Sequence, residues 1–370
     1  MLKVLLCSPF SIDSRYTQGG IVVWAQSIVN YYKTLSSGIQ MDVIPFDRRV
    51  RPDMRGGMFS RVLGGAIDYW SSIRKTRVQL RAGNYDVLHL CSSASISLVK
   101  DIVVLRMAKR KGVKTTIHFH FGRIPELAEL NNWEWKMLSR VVRIADNAIT
   151  MDRRSYNTLR EKGFLNVYYW PNPLSLNVIR QVNEEAPAVK KVDRKICFVG
   201  HVIPTKGVYE LVEACNGIEG IKLYILGEST QEVRNRMMKI AGDADWLVFV
   251  GEVNHRQVIS EMLSSSIFVL PSYTEGFPNV ILESMACGCA IVATTVGAIP
   301  DMLAINSDEP CGLCCEPKDI DGLRRSIQFF IDNPDKAQEY GARAINRVND
   351  MYAIPRVWEQ MVEQWHALLS

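Results

Sequence analysis

The chain is organised around one stretch, Ser272-Tyr273-Thr274-Glu275-Gly276-Phe277-Pro278-Asn279-Val280-Ile281-Leu282-Glu283-Ser284-Met285-Ala286. It follows the apolar run 267–270, which predicts a buried strand. Gly276 permits a sharp exit from that strand, and Pro278 suits the start of a helix near Asn279 because it has no N–H to lose. The free N–H groups of the helix would face the carboxyl end of the strand. This geometry predicts a phosphate-binding site.

Two glutamates flank the predicted phosphate site, Glu275 in the loop and Glu283 about one turn into the helix. Carboxylates repel phosphate but accept hydrogen bonds from neutral hydroxyls, so the pair predicts sugar and ribose binding on either side of a diphosphate. The alternative interpretation is one solvated loop charge and one charge on a helix face.

Two neighbouring segments extend this pattern, Met-Ala-Cys-Gly at 285–288 and Gly297-Ala298-Ile299-Pro300-Asp301. With the two glutamates, which have seven residues between them, these segments closely resemble the retaining GT-B glycosyltransferases of family four, also called glycosyl transferases group 1. The resemblance covers essentially the full chain, strongest over 196–301 and weakest over 46–82. It implies an α/β fold of two Rossmann-like parallel-sheet domains facing across a cleft, with a C-terminal helix that returns to the N-terminal domain.

The chain of 370 residues is long enough for two domains. Trp170-Pro171-Asn172-Pro173 interrupts the strand–helix alternation and predicts the boundary. We therefore expect an acceptor-binding domain over 1–170, a nucleotide-sugar-binding domain over 171–353, and a closing helix over 354–370 that packs on the first domain. Within the first domain, the apolar pattern predicts a single helix over about 125–142.

Location is indicated by the cysteines and by the apolar segments. Nine cysteines without a repeated spacing are typical of free thiols in a reducing compartment. No apolar run approaches the roughly 20 residues that span a bilayer, and the run 2–7 is too short for a signal-peptide core. These features favour a cytoplasmic enzyme.

Histidines mark the end of the fourth predicted strand, where Thr115-Thr116-Ile117-His118-Phe119-His120 precedes Phe121-Gly122. His118 and His120 share one face because strand side chains alternate. A histidine in a strand is usually a core residue, but the resemblance implies an active-site histidine here, near the reacting carbon of the sugar. Counting from Lys114, His120 is the first candidate for this catalytic role and His118 the second.

Two further segments are candidates for binding the donor diphosphate. Gly19-Gly20 precedes a helical pattern and lets backbone approach an anion, although such a pair is often only a loop. Gly200-His201-Val202-Ile203-Pro204-Thr205-Lys206-Gly207 resembles the family segment whose Arg and Lys bind the diphosphate. Lys206 is in place, but His201 stands where the family has Arg.

These features give the predicted site by role. The catalytic candidates are His120, Lys206 and Glu275, with His118 as the secondary candidate. The predicted donor-binding residues are Gly19, Gly20, His201, Phe277, Pro278, Asn279 and Glu283. No metal or other cofactor is expected, because Lys206 and the helix starts near Gly20 and Asn279 would meet the leaving-group charge.

The net charge of +5 conceals an asymmetry between the two halves. Residues 1–170 contain 26 Lys+Arg against 13 Asp+Glu, whereas the remainder contains 18 against 26. The arginines at 48, 49, 51 and 55, followed by others up to 81, predict either a solvated face or a contact with an anionic membrane surface. The resemblance implies a nucleotide-sugar donor, and together with the basic first half it implies a saccharide or lipid-linked acceptor in bacterial polysaccharide assembly. No nucleic acid is expected.

Three patterns carry little weight as metal sites. Asp243-Ala-Asp245 and Asp319-Ile-Asp321 fit an Asp-x-Asp motif by chance, and Cys311, Cys314 and Cys315 lack a second Cys pair or a nearby His.

Two other functions stay open. One is a nucleotide-sugar epimerase of the same fold, and the other is a non-catalytic binding partner, which the histidine at 201 would favour.

Overall fold

The structure, a computed structural model, describes residues 1–10, 20–35, 38–46, 58–242 and 244–370, and it leaves out the side chains of 58–67. The described chain forms two compact units. Unit 1 comprises Met1–Pro173 together with Val357–Ser370, and unit 2 comprises Leu174–Arg356. The chain therefore passes between the units twice, after Pro173 and after Arg356.

Unit 1 is built on a parallel six-stranded sheet with the strand order β2-β1-β3-β4-β5-β6. Its order changes direction between β1 and β3. The strands are β1 Leu2–Ser8, β2 Ile39–Pro45, β3 Val87–Ser92, β4 Lys114–Phe119, β5 Asn147–Thr150 and β6 Val167–Tyr169. The helices are α1 Gly20–Tyr32, α2 Met58–Ala82, α3 Ser97–Lys109, α4 Ile124–Leu130, α5 Trp133–Ile144 and α6 Arg153–Glu161.

Unit 2 repeats this plan with the strand order β12-β11-β10-β7-β8-β9, again all parallel. Its strands are β7 Val192–Val199, β8 Lys222–Leu226, β9 Leu247–Gly251, β10 Ser265–Leu270, β11 Ala290–Thr294 and β12 Leu313–Cys315. Its helices are α7 Leu176–Glu185, α8 Val208–Cys215, α9 Gln231–Ala241, α10 His255–Ser264, α11 Asn279–Ala286, α12 Ile299–Met302, α13 Ile320–Asp332 and α14 Pro334–Met351. Short 3-10 helices occupy Ala186–Ala188 and Pro204–Lys206. The order changes direction between β7 and β10, and this is where open α/β sheets bind ligands.

The central strands are buried on both faces, which explains their continuous apolar sequences. In β10 the residues Ile267, Phe268, Val269 and Leu270 are each at most 1% exposed. The predicted α/β class with two parallel-sheet units is confirmed by the two sheets. Parallel strands need crossover helices, and the alternation of strand and helix along the sequence supplies them.

The single helix predicted over about 125–142 is wrong, because two helices occupy this region. α4 ends where Asn131 adopts a left-handed backbone with φ 44°. Asn132 then caps α5 by accepting a hydrogen bond from the Trp135 N–H at 3.0 Å. Asparagine favours both positions, so the Asn-Asn pair ends one helix and begins the next.

The closing helix α15, Ile354–Ala367, belongs to unit 1 from Val357 onward. Trp358 packs on Tyr31 and Tyr32 of α1, with ring centroids 6.1 and 5.9 Å apart. Trp365 is fully buried and contacts His89 of β3. The helix is thus part of the hydrophobic core of unit 1.

Among the described helices, none combines the length and the apolar composition that crossing a bilayer would require.

Candidate functional site

The candidate site lies at the carboxyl edge of the unit 2 sheet, where β7 and β10 are neighbours. The loop after β7 runs from Gly200 to Gly207, and the loop after β10 runs from Pro271 to Pro278. A parallel sheet brings the ends of its strands to one edge, so these two loops meet although about 70 residues separate them in sequence.

Glycine allows the two loops to pack directly against each other. Gly207 has φ +69°, and a Cβ atom there would lie 2.1 Å from the carbonyl oxygen of Pro271. The Tyr273 N–H donates to the Thr205 carbonyl oxygen at 2.9 Å. Any side chain at position 207 would therefore separate the loops and displace the lysine that precedes it.

Lys206 and Glu275 form an ion pair across this junction. The Lys206 Nζ donates to the Glu275 Oε1 at 2.5 Å, and the two side chains are 26% and 12% exposed. A cation and a carboxylate therefore stand side by side at the switch point of the sheet. The ammonium can meet a phosphate, and the carboxylate can accept hydrogen bonds from hydroxyls.

A third segment, residues 297–298, packs against the loop that carries Glu275. Gly297 has φ +58°, and a Cβ atom there would lie 2.4 Å from the Glu275 carbonyl oxygen. The Ala298 N–H donates to the Gly276 carbonyl oxygen at 2.9 Å. The Gly-Ala motif noted in the sequence thus supports the backbone that carries Glu275.

Helix α11 begins at Asn279, the position predicted from the sequence. Phe277 and Pro278 are buried just before it, and the Phe277 ring lies 6.0 Å from that of Tyr352. The Oδ1 atom of Asn279 is buried without a hydrogen-bond partner in the described part of the chain. The first turn of α11 therefore carries a buried hydrogen-bond acceptor without a partner, four positions after Glu275 in the sequence.

Glu283 lies one turn into α11 and pairs with a residue that the sequence reasoning missed. The His255 Nε2 lies 2.9 Å from the Glu283 Oε1, and this hydrogen bond raises the pKa of His255. His255 opens α10 after β9, where Asn254 and Gln257 form a capping box. The available signal was an Asn-His pair that begins three positions after a strand that ends at the same edge of the sheet.

His201 is exposed in the loop after β7. The loop is held by Gly227, where a Cβ atom would lie 1.9 Å from the Gly200 carbonyl oxygen. His201 and Lys206 therefore share one loop at the carboxyl edge. The diphosphate role of His201 stays a prediction.

The remaining predicted residues belong to unit 1. Gly20 is the first residue of α1, whereas Gly19 lies outside the described residues. His118 is the last but one residue of β4, and His120 follows the strand directly. Their ring centroids are 4.0 Å apart, and burial lowers the pKa of both, so both are neutral near pH 7.

The metal-like patterns have other structural explanations. Asp319 caps α13 by accepting the Gly322 N–H at 2.9 Å, and Asp243 lies outside the described residues. Cys311 and Cys315 are buried free thiols. Across the described ranges, no group of three or more His, Cys, Asp or Glu side chains could hold a metal ion.

Comparison with known proteins gives a family match over the second half of the chain. Residues 180–347 match the family model described as Glycosyl transferases group 1. Glycogen synthase from Mycobacterium tuberculosis is 26% identical over 233 residues, which are 57% of this chain and 51% of that protein. The chain spans about half the length of the curated relatives it matches. These findings show that the second half of the chain is similar to the group 1 glycosyltransferases.

Solved structures extend the likeness to both units. A sucrose-phosphate synthase from Thermosynechococcus elongatus aligns with a TM-score of 0.74 at 18% identity, covering 100% of this chain and 99% of that chain. Anabaena HepE in complex with UDP aligns with a TM-score of 0.69 at 14% identity, covering 99% and 100%. At these identities the likeness shows the fold, and the predicted GT-B class is confirmed.

Proposed function

We propose that this protein is a glycosyltransferase that moves a sugar from a nucleoside diphosphate sugar to an acceptor. The observation that carries the proposal is the Lys206–Glu275 pair at the switch point of the unit 2 sheet. A nucleotide sugar needs a cation for its diphosphate and acceptors for its hydroxyls. The pair supplies both within one junction, and the Anabaena protein that shares the fold was solved with UDP.

The chemistry follows from where charge develops. When the bond between sugar and phosphate breaks, the ring becomes positive and the diphosphate gains negative charge. Lys206 and the N-terminus of α11 would stabilise the diphosphate, and Glu275 would bind sugar hydroxyls. Glu283, held by His255, would bind the ribose. These groups need no metal, which agrees with the metal-independent, retaining chemistry that the family resemblance implies.

The direct test follows the donor by NMR. We expect UDP-, GDP- or ADP-sugars to be stable with the protein alone, or slowly hydrolysed, and to be consumed with retention when a suitable acceptor is added. Formation of an epimer without acceptor would instead identify a nucleotide-sugar epimerase. Binding without turnover under any acceptor would identify a non-catalytic partner protein.

We further propose that the acceptor is lipid-linked or a saccharide of bacterial polysaccharide assembly, and that unit 1 meets an anionic membrane surface from the cytoplasmic side. The observation behind the membrane contact is the exposed face of α2. Trp70 is 71% exposed and Val78 is 58% exposed, and Arg74, Arg77 and Arg81 are exposed at the same helical spacing. An interfacial helix combines an aromatic residue with cations in this way.

The buried face of α2 is different in character. Ser72, Thr76 and Leu80 are each at most 5% exposed and lie on the opposite side of the helix. The arginines at 48, 49, 51 and 55 that the sequence suggested for this contact lie outside the described residues. The testable part of the membrane surface is therefore the exposed face of α2.

Sedimentation with anionic vesicles tests this surface. Each cation near such a surface contributes about 1 kcal/mol, so replacing the three arginines by Ser should weaken partitioning by roughly a hundredfold at low salt. The control removes three exposed cations at the end of α3, namely Arg106, Arg110 and Lys111. Equal loss in both triple variants would contradict a specific contact through α2.

A further inference from the structure

A chain of three buried side chains runs through the core of unit 1. The Trp365 Nε1 of α15 donates to the His89 Nδ1 at 3.3 Å. The His89 Nε2 lies 3.3 Å from the His118 Nδ1 of β4. All three residues are at most 1% exposed. The closing helix is thus connected to the end of β4 by two hydrogen bonds.

The indole of Trp365 determines which atoms donate and which accept in both hydrogen bonds. An indole nitrogen can only donate, so the His89 Nδ1 must carry a lone pair. Burial lowers the pKa of His89 to about 3, so the ring is neutral and its proton sits on Nε2. That proton is donated to the His118 Nδ1. His118 is also neutral, because its pKa is lowered by burial, and it must therefore carry its own proton on Nε2.

This series of hydrogen bonds ends at His118 without a further partner. The His118 Nε2 is buried and has no hydrogen-bond partner within the described ranges, and the same holds for both His120 nitrogens and the Trp24 Nε1. The Trp24 ring lies 4.9 Å from that of His118 and 4.7 Å from that of His120. A buried donor left without a partner costs about 1–3 kcal/mol, so several in one place indicate a position that another polar group fills.

We propose that Trp365 and His89 are positioning residues that hold His118 as a hydrogen-bond donor at Nε2, directed at a substrate oxygen beyond the end of β4. The inference rests on the proposed function only for the identity of that oxygen. It assigns His118 a donor role separate from that of His120. It also gives the closing helix a part in the site, because the tautomer of His118 depends on a tryptophan of α15.

The tautomer is measured by ¹H–¹⁵N correlation spectra of protein labelled at histidine, without any substrate. We expect His118 to carry its proton on Nε2 in the parent protein. His89→Gln should preserve this state, since a glutamine can accept from Trp365 and donate to His118. His89→Leu should release the constraint and give a mixture of tautomers. A parent His118 protonated on Nδ1, or an unchanged His118 in His89→Leu, would overturn the proposal.

Turnover supplies the functional readout. We expect His89→Leu to lower kcat about twofold or more, in proportion to the fraction of His118 that no longer carries its proton on Nε2, while the KM for the nucleotide sugar stays within about twofold. His89→Gln should restore kcat. A loss equal in both variants would show that position 89 acts only through packing and would overturn the positioning role.

A second pair of variants keeps the test decisive if His89→Leu does not fold. Trp365→Phe removes the donor to His89, whereas Trp358→Phe removes a neighbouring indole whose ring lies 5.8 Å from Trp365. We expect the tautomer to change only in Trp365→Phe. Identical histidine spectra in the two variants would refute the chain. If the protein transfers no sugar at all, the spectra still decide the tautomer, so that failure is separable from failure of this inference.

Discussion

Lys206→Ala is the substitution that most directly tests the binding site. The Lys206 ammonium is bound to Glu275 at 2.5 Å in a partly buried position. If a diphosphate binds here, the same ammonium contacts it. Removing the lysine then removes a charge-assisted hydrogen bond, which contributes about 1.5–3 kcal/mol, or roughly 10- to 150-fold in Kd.

Part of this loss is offset, because a diphosphate that binds to the parent protein must first break the Lys206–Glu275 ion pair. A partly exposed ion pair contributes only about 0.2–1 kcal/mol, so little is forfeited when the ammonium turns from the carboxylate to a phosphate. We therefore expect Lys206→Ala to weaken UDP and UDP-glucose alike, by roughly 2- to 100-fold. Isothermal titration calorimetry measures both constants, after a thermal-shift screen of UDP, GDP and ADP has identified the base.

Glu275→Ala should behave differently, because its carboxylate is assigned to sugar hydroxyls. It frees Lys206, so we expect UDP to bind as tightly as in the parent protein or more tightly, and UDP-glucose to lose affinity. Lys195→Ala serves as the matched control, since it breaks a similar ion pair with Glu261 at 2.6 Å without touching the loops of the site. Unchanged affinity for UDP in Lys206→Ala would refute the reasoning.

Three further predictions concern the pairing of His255, the need for metal and the residue at position 201. Glu283 raises the pKa of His255, so the charged ring stabilises the fold below the usual histidine pKa of about 6.5, and this contribution is lost as pH rises through the raised value. The difference in thermal midpoint between parent and His255→Gln should therefore shrink from pH 5.5 to 9, and a constant difference would contradict the pairing. Activity should survive EDTA, whereas a loss that Mg²⁺ or Mn²⁺ restores would show that a metal meets the leaving group. Replacing His201 by Arg should raise donor affinity, because a guanidinium can donate two parallel hydrogen bonds to a phosphate, and equal affinity in parent and variant would mean that position 201 does not meet the diphosphate.

The sequence predicted the fold well because its apolar runs have the lengths of buried parallel strands. The start of α11 at Asn279 followed from local rules alone, since Gly276 and Pro278 act on their immediate neighbours. The division between α4 and α5 was missed because the apolar pattern continues across Asn131 and Asn132. The left-handed backbone of Asn131 ends one helix, and the side-chain cap of Asn132 begins the other.

The contacts within the site could be predicted only in part. Lys206 and Glu275 meet because β7 lies beside β10, and strand order is a property of the whole sheet. The pairing of His255 with Glu283 joins residues 28 positions apart on different helices. The bond between Trp365 and His89 spans 276 positions. No spacing rule reaches such distances, so the sequence indicated residue types at the edge of the sheet without their partners.

The double passage of the chain between the units has a consequence for synthesis on the ribosome. Unit 2 is a single continuous segment, 174–356, whereas unit 1 needs 357–370 for its core. Unit 2 can therefore complete its sheet while the first 173 residues still lack Trp358 and Trp365. Unit 1 in turn can complete its core only after the whole of unit 2 has been synthesised.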